Sequence, residues 1–525
     1  MALPTVAGAA AAMGRGDAAL AAHLSAAVVA ARPDSIDGWR IMGQATNRLK
    51  DFDTAERAFD EVARRSVAGS LGHVQGLLSR VEPLICLGRP ADAAACVRQA
   101  VAAGLAEARD HFLAALAFSH LGLPAEALAL AERAVALDPS MVEAWSIIGN
   151  TRQFLGDLGA AERAFDRVVA QSRDHAAAAY HGLAHLKRWT PAANHIAQME
   201  RFPCRTSMEA SRIGYALFKE HDDLGDVDAA WDCLQHGARV ARSMEGWDDA
   251  EERRIFAAWK DAFPDPPAER DDDSPRAGPK RIFIVGLPRS GTTLVERILT
   301  AHSRVQTIGE VNSFAIATRR LSGVASPHIV SPEIIAAARQ IDPVAIADAY
   351  SADVAYLSDG SAYTIDKRPD NYQYVGLIKR AFPDAIVIVL DRHPMDALFG
   401  AYKRSFAPGA HGWSYTFEDL AAHYDNYRAL VDHWKAVLGS DLIEVSLERL
   451  IADPGGEIRQ LVARCGIAFE DACLSPHMAK GAVTTASSVQ VRQPINASGV
   501  GAWKHYRDQL APLHDRLRRL GHLGC

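Results

Sequence analysis

Between Ile284 and Leu294 the chain reads Ile-Val-Gly-Leu-Pro-Arg-Ser-Gly-Thr-Thr-Leu, an apolar run that breaks at a glycine and resumes as a helix-like stretch through Thr300. Gly286, four residues, Gly291, Thr292 and Thr293 have the spacing of a phosphate-binding P-loop, with threonine where that loop carries its lysine. The loop lysine of a P-loop NTPase reaches the β and γ phosphates. A loop without it suits a nucleotide whose 5' end carries less charge, and a 5'-phosphosulfate with its singly charged sulfonyl fits. Backbone N–H groups and the positive end of the following helix can bind such an anion, and Arg289 inside the loop adds a full charge. This chemistry calls for no metal.

The stretch Gly286-Leu287-Pro288-Arg289-Ser290-Gly291-Thr292-Thr293-Leu294 resembles the 5'-phosphosulfate loop of sulfotransferases, most closely their tyrosylprotein-sulfotransferase-like branch. Bacterial proteins of that branch often carry tetratricopeptide (TPR) repeats in front. The resemblance implies 3'-phosphoadenosine 5'-phosphosulfate (PAPS) as sulfonyl donor and 3'-phosphoadenosine 5'-phosphate as product. It makes Pro288, Arg289, Ser290, Gly291, Thr292 and Thr293 donor contacts. In Asp391-Arg392-His393-Pro394, Arg392 matches the arginine that binds the 3'-phosphate, a group suited to bidentate guanidinium contacts. The chain departs from the pattern at Gly400, where the family has a serine on that phosphate, and at Leu447, where it often has a tyrosine.

Moving a sulfonyl group to a hydroxyl needs a base for the acceptor proton and positive charge at the leaving phosphate. Glu310, in Ile308-Gly309-Glu310, matches the catalytic glutamate of the tyrosylprotein branch. Lys367, in Asp366-Lys367-Arg368-Pro369, matches the lysine that works with Arg289 on the leaving group. Histidine is the base in cytosolic small-molecule sulfotransferases, but His302 and His393 fall away from its usual position. Towards the end of the chain, Thr485 to Pro494 resembles the segment that closes over the donor, with Ser487 at the sulfonyl and Arg492 standing beside Gln493, where the family has lysine. Gly501-Ala502-Trp503-Lys504 resembles the glycine-x-tryptophan element near the 3'-phosphate.

Two other classes stay open on these residues. One is a TPR scaffold whose nucleotide domain has decayed, with Gly400 and Leu447 in its favour; the other is a P-loop kinase, against which the absent lysine counts. The acceptor is equally open, a tyrosyl peptide being implied by Glu310 while a saccharide, lipid or phenol would use the same chemistry.

The elements that must position these residues are short strands at Arg281 to Leu287, Tyr363 to Asp366, Ala385 to Leu390 and Leu442 to Ser446, alternating with helical stretches. That alternation predicts a parallel α/β sheet over 281–525, with ligands beyond the carboxyl ends of its strands. The first half repeats instead. Leu49 with Ala55, Leu87 with Ala93, Leu121 with Ala127 and Leu155 with Ala161 recur about every 34 to 38 residues, the TPR period. Trp39, Gly43, Ala55 and Phe59 reappear as Trp145, Gly149, Ala161 and Phe165, and Pro33 and Pro139 follow helix ends. The expected organisation is an all-α TPR solenoid over 1–190, a helical connector over 191–263, a proline-rich acidic linker over 264–280, and a P-loop-like sulfotransferase domain. A TPR groove would take a peptide or protein partner.

At 525 residues and 49% hydrophobic composition the chain can bury two or three domains. A formal net charge of -7 argues against general nucleic-acid or anionic-membrane binding. Seven scattered cysteines have no metal or redox spacing, no apolar run is long enough to span a membrane, and no basic, apolar leader opens the chain. Together these imply a cytoplasmic protein.

Overall fold

The computed structural model of the protein describes residues 5–266, 278–485 and 487–524, so most of the expected linker, 267–277, lies outside the described residues, as does Cys525. The fold divides into two compact units, 1–151 with 351–357, and 152–350 with 358–525.

In the first unit amphipathic helices pack in consecutive pairs, such as Ile36–Arg48 with Phe52–Arg65 and Ala108–His120 with Pro124–Leu137. Their starts are set by side-chain caps: Ser35 accepts from Gly38 N–H, and Asp51 from Thr54 N–H. Gly43 is a packing requirement, because a Cβ there would lie 2.6 Å from the Phe59 ring. Trp39 Nε1 donates to Pro33 O at 2.8 Å, and Trp145 Nε1 repeats the bond to Pro139 O at 3.0 Å. Each indole thus ties a helix to the proline that follows the preceding helix. This is a TPR-type helical solenoid, and the segment 351–357 joins it through Tyr356 Oη, which donates to Leu121 O at 2.9 Å.

Helical pairing continues in the second unit with Leu158–Gln171 and Arg173–Ala184, where Phe165 fills the space a Cβ on Gly182 would need. The break expected near Trp189 is a non-helical turn bridged at Thr190 and Ala193. The helices Ser207–Leu224, Val227–Met244 and Asp249–Ala262 follow, and among the described residues sixteen α-helices precede the first strand. No helix among the described residues is long and apolar enough to cross a membrane.

Five parallel strands then form one sheet: β1 (Lys280–Val285), β2 (Val305–Thr307), β3 (Tyr363–Asp366), β4 (Ile386–Asp391) and β5 (Leu442–Ser446), in the order β2-β3-β1-β4-β5. Ile282, Ile284, Ile365 and Ile388 are fully buried and meet Val295 and Ile298 of the helix Thr292–Thr300. Being parallel, the strands send the phosphate loop, Lys367 and Arg392 out of the same end of the sheet.

Asp366, the last residue of β3, is buried with Tyr350 Oη donating to its Oδ2 at 3.0 Å and no partner on Oδ1. Burial pushes its carboxyl up from 3.8 to about 7. The folded state therefore holds a proton that the unfolded state gives up above pH 3.8, and stability falls as pH rises across that window. Asp366→Asn should abolish this loss, raising stability at pH 8 by on the order of 2 to 4 kcal/mol. Thermal melts from pH 4 to 8 check it: a wild-type profile no steeper than the variant's would refute the protonated carboxyl.

Candidate functional site

β1 ends at Val285, and the next six residues form a tight loop before the helix Thr292–Thr300. Gly291 has φ +107 and lies against Leu447, whose Cδ1 would be 2.8 Å from any added Cβ. Arg289 itself takes a left-handed conformation (φ +68). That backbone turn sends its guanidinium toward the C-terminal segment, where Nη1 donates to Ser487 Oγ and Nη2 to Gln490 Oε1 at 2.7 Å. Both partners are neutral. Arg404 and Arg392 stand close enough to depress the Arg289 pKa further, after burial, which depresses it most. Ser290 Oγ is buried without a partner, and Thr293 Oγ1 meets Thr485 Oγ1 at 3.3 Å. The loop therefore offers an uncompensated positive charge, unengaged hydroxyl capacity and a helix N-terminus in one place.

The second group is built by the sheet. Ile308 N donates to Ile365 O at 2.9 Å and Lys367 N to Gly309 O at 3.0 Å, so the β2–β3 pairing extends past both strand ends and delivers Glu310 beside Lys367. Lys367 is 0% exposed and pairs with the Glu310 carboxylate; Glu310 remains 37% exposed. On its other side Lys367 faces Glu296 Oε2 at 3.7 Å. Glu296 is buried on the loop helix and accepts from Thr307 Oγ1 at 2.5 Å; burial raises its pKa, and Lys367 opposes the shift. A buried ammonium between one enclosed and one accessible carboxylate holds the accessible one in a fixed orientation. Glu296 escapes sequence reasoning because it reads as the polar position of an amphipathic helix; only the fold brings it to Lys367.

At the end of β4, Arg392 Nη1 donates to Arg289 O and Nη2 to Gly499 O. Asp396, one turn into the next helix, accepts from Gly501 N at 2.6 Å and Trp503 N at 3.2 Å, and the Trp503 ring stacks between His393 and His514. The glycine-x-tryptophan element is thus fixed to Arg392 and its helix, while Lys504 lies exposed with its stem over Gly501. Arg492 is placed differently from its neighbours: its Nη2 donates to Phe154 O at 2.6 Å and Gly481 O at 3.2 Å, which anchors the segment to the turn at Gly156. His302 is engaged through both ring nitrogens, with Ala468 O at 2.8 Å and Arg304 N at 3.0 Å, so it has no free nitrogen for proton transfer.

Both departures from the family pattern sit on the loop. A Cβ on Gly400 would lie 3.1 Å from Arg289 Cβ, and Leu447 packs on Gly291, so each residue fills or vacates space that shapes the loop. Arg404, one turn beyond Gly400, is a further cation that sequence reasoning missed. Burial lowers its pKa to about 10, its Nε has no partner, and among the described residues no carboxylate pairs with it. Only its spacing from Arg392 and Gly400 across the helix Pro394–Tyr402 could have flagged it. Among the described residues no group of three or more histidine, cysteine or acidic side chains is arranged to hold a metal.

Residues 279–471 match the family model described as "Sulfotransferase family", so this part of the chain is a sulfotransferase-family domain; Ser487, Arg492, Trp503 and Lys504 lie beyond the matched span. An uncharacterized protein of Aquifex aeolicus (strain VF5) is 30% identical over 322 residues, covering 60% of this chain and 42% of that protein's length. Among solved structures, YrrB, a TPR protein with an unusual peptide-binding site, aligns over 40% of this chain and 97% of its own at 16% identity and TM-score 0.29. A tetratricopeptide repeat protein of Parabacteroides merdae aligns over 45% and 88% at 13% identity and TM-score 0.33.

Proposed function

We propose that the protein is a PAPS-dependent O-sulfotransferase. The observation that carries this reading is the convergence of Arg289, Arg392 and Arg404 on the phosphate loop with only neutral hydrogen-bond partners among the described residues. Enclosed cations whose hydrogen bonds go to neutral groups, with Asp396 and Glu448 acting only on Arg392 through space, cost free energy in the empty protein, and an anion with charge at both ends removes that cost. Such an anion is a nucleotide with a 5'-phosphosulfate at the loop and a 3'-phosphate at Arg392 and Arg404.

The donor supplies an activated sulfonyl group whose leaving phosphate gathers negative charge. Arg289 and Ser487, joined across the loop, and the ammonium of Lys367 are the groups that stabilise that charge. Glu310, accessible and held by Lys367, takes the acceptor hydroxyl's proton as its oxygen attacks sulfur. Gln490 fixes the Arg289 fork, and Glu296 fixes Lys367 from behind. The accessible carboxylate suits a tyrosyl peptide as acceptor, and the TPR array is the part we assign to holding a peptide or protein partner. The six described cysteines are free thiols, which supports a reducing, cytoplasmic setting.

Calorimetric titration with 3'-phosphoadenosine 5'-phosphate, with ADP as control, tests the donor. Arg392→Ala should weaken the 3'-phosphorylated nucleotide by about tenfold or more, the cost of a charge-assisted contact, and leave ADP unaffected. No binding by the wild type would instead favour a scaffold with a decayed nucleotide domain.

A further inference from the structure

The helix Val142–Leu155, whose last turn belongs to the second unit, ends at Gly156. The left-handed conformation there (φ +88) turns the chain back, so that Gly156 N donates to Gln153 O at 3.0 Å and Asp157 N to Arg152 O at 2.9 Å. These bonds satisfy two of the carbonyls that a helix leaves open at its end and pass over Phe154 O. That carbonyl is taken from far along the chain: Val483 N donates to it at 2.9 Å and Arg492 Nη2 at 2.6 Å, a cation at the negative end of a helix. The fit is tight. A Cβ on Gly156 would lie 2.6 Å from Arg492 Nε, which is itself buried without a partner among the described residues. Leu224-Gly225-Asp226 repeats Leu155-Gly156-Asp157, with the same two closing bonds and φ +81 at the glycine. A Cβ on Gly225 would meet no described atom within 4 Å.

From this anchor the chain reaches the phosphate loop in short bonded steps. Arg492 ends the 3-10 turn Gln490–Arg492, and Val491 N donates to Ser487 O at 3.2 Å. Ser487 and Gln490 are the two residues that hold the Arg289 guanidinium. Ser487 N also donates to Thr485 Oγ1 at 3.2 Å, the hydroxyl that meets Thr293 on the loop helix. The neutral partners of Arg289 are thus tied back to a helix end through one carbonyl.

Resting on the donor reading above, we propose that Arg492 is a positioning residue for the 5' end of the nucleotide. It contacts no part of the nucleotide; by holding Phe154 O it fixes the turn that presents Ser487 and Gln490 to Arg289. Both ends of this latch lie outside the family-matched residues 279–471, which makes the last turn of a repeat helix part of the working donor site. Two consequences follow from the geometry. Losing the latch acts at the 5' end, so nucleotides with and without a 3'-phosphate weaken alike. Gly156 and Arg492 act through one contact, so their losses do not add.

The test is calorimetric titration of the full chain with 3'-phosphoadenosine 5'-phosphate and with adenosine 5'-phosphosulfate, which lacks the 3'-phosphate. Arg492→Ala should weaken both by about tenfold, the cost of a charge-assisted contact. Gly156→Ala, whose methyl group displaces the arginine from Phe154 O, should cost about as much, and the double variant no more than either alone. Gly225→Ala carries the same backbone strain with nothing to displace and should leave both affinities unchanged. If Gly156→Ala melts well below Gly225→Ala, Gly156→Asn replaces it, because asparagine tolerates the left-handed conformation and keeps the clash. A loss confined to the 3'-phosphorylated nucleotide would make Arg492 a 3'-phosphate ligand and overturn the proposal. Full affinity in the Gly156 variant, or single losses that multiply to about a hundredfold in the double variant, would overturn it as well, and each of these results leaves the donor reading intact. A wild type that binds neither nucleotide overturns both.

Discussion

Glu310→Gln is expected to lower sulfonyl transfer by about 10²- to 10⁴-fold, the range for losing a positioned base, without changing nucleotide affinity. Glutamine keeps the shape of the side chain, and its amide oxygen still accepts from Lys367, so the β2–β3 pairing and the buried ammonium are undisturbed. What it cannot do is take a proton. The substitution therefore separates proton transfer from positioning, and single-turnover rates with preloaded donor read that step directly. If Glu310→Gln keeps its turnover, the base lies elsewhere and the carboxylate is only the counter-ion of Lys367.

Lys367→Met should do two things that can be told apart. Turnover falls by about 10²- to 10³-fold, because one preorganised charge at the leaving group is worth about 2.7 to 4 kcal/mol. The fold also weakens by about 3 to 5 kcal/mol, since Glu296 is left buried without its cation. The second effect has a pH signature. Burial already raises the Glu296 pKa above its ordinary 4.5, and removing Lys367 removes the main opposing charge. The folded variant then holds a proton that the unfolded chain releases above pH 4.5, so its stability declines as pH climbs from there. Its melting deficit relative to wild type should be smaller at pH 5 than at pH 8. Adding Glu296→Gln should restore stability but not turnover. A double variant that recovers activity would make Lys367 a structural residue only.

The strands were readable where an apolar run ended at a polar turn: β3 and β5 fall on the residues their patterns mark, and β4 is offset by a single position. β2 was not readable. Val305–Thr307 has three residues and no alternation, and only pairing with β3 makes it a strand. In the site, Arg289, Glu310, Lys367 and Ser487 could be named from motifs, whereas their joining depends on chain segments up to about 200 residues apart. Glu296, Gln490 and Arg404 carry no local signal. The roles of Glu296 and Arg404 come from what burial removes, the water that would otherwise solvate each charge, and that of Gln490 from a bond to Arg289 across the chain; one-dimensional patterns record neither.

The order of the sheet assigns different mechanical fates to the two halves of the reaction. β1, which bears the phosphate loop, is the middle strand, hydrogen-bonded on both sides, whereas Glu310 follows β2, a three-residue strand on the rim with one neighbour. Local opening of a protein starts where the fewest backbone bonds must break. Local opening would therefore begin at this rim before it reached the centre. In the proposed reaction the acceptor would then meet the softer margin of the sheet and the donor its firmest strand, so that adjusting to an acceptor need not disturb the hold on the nucleotide.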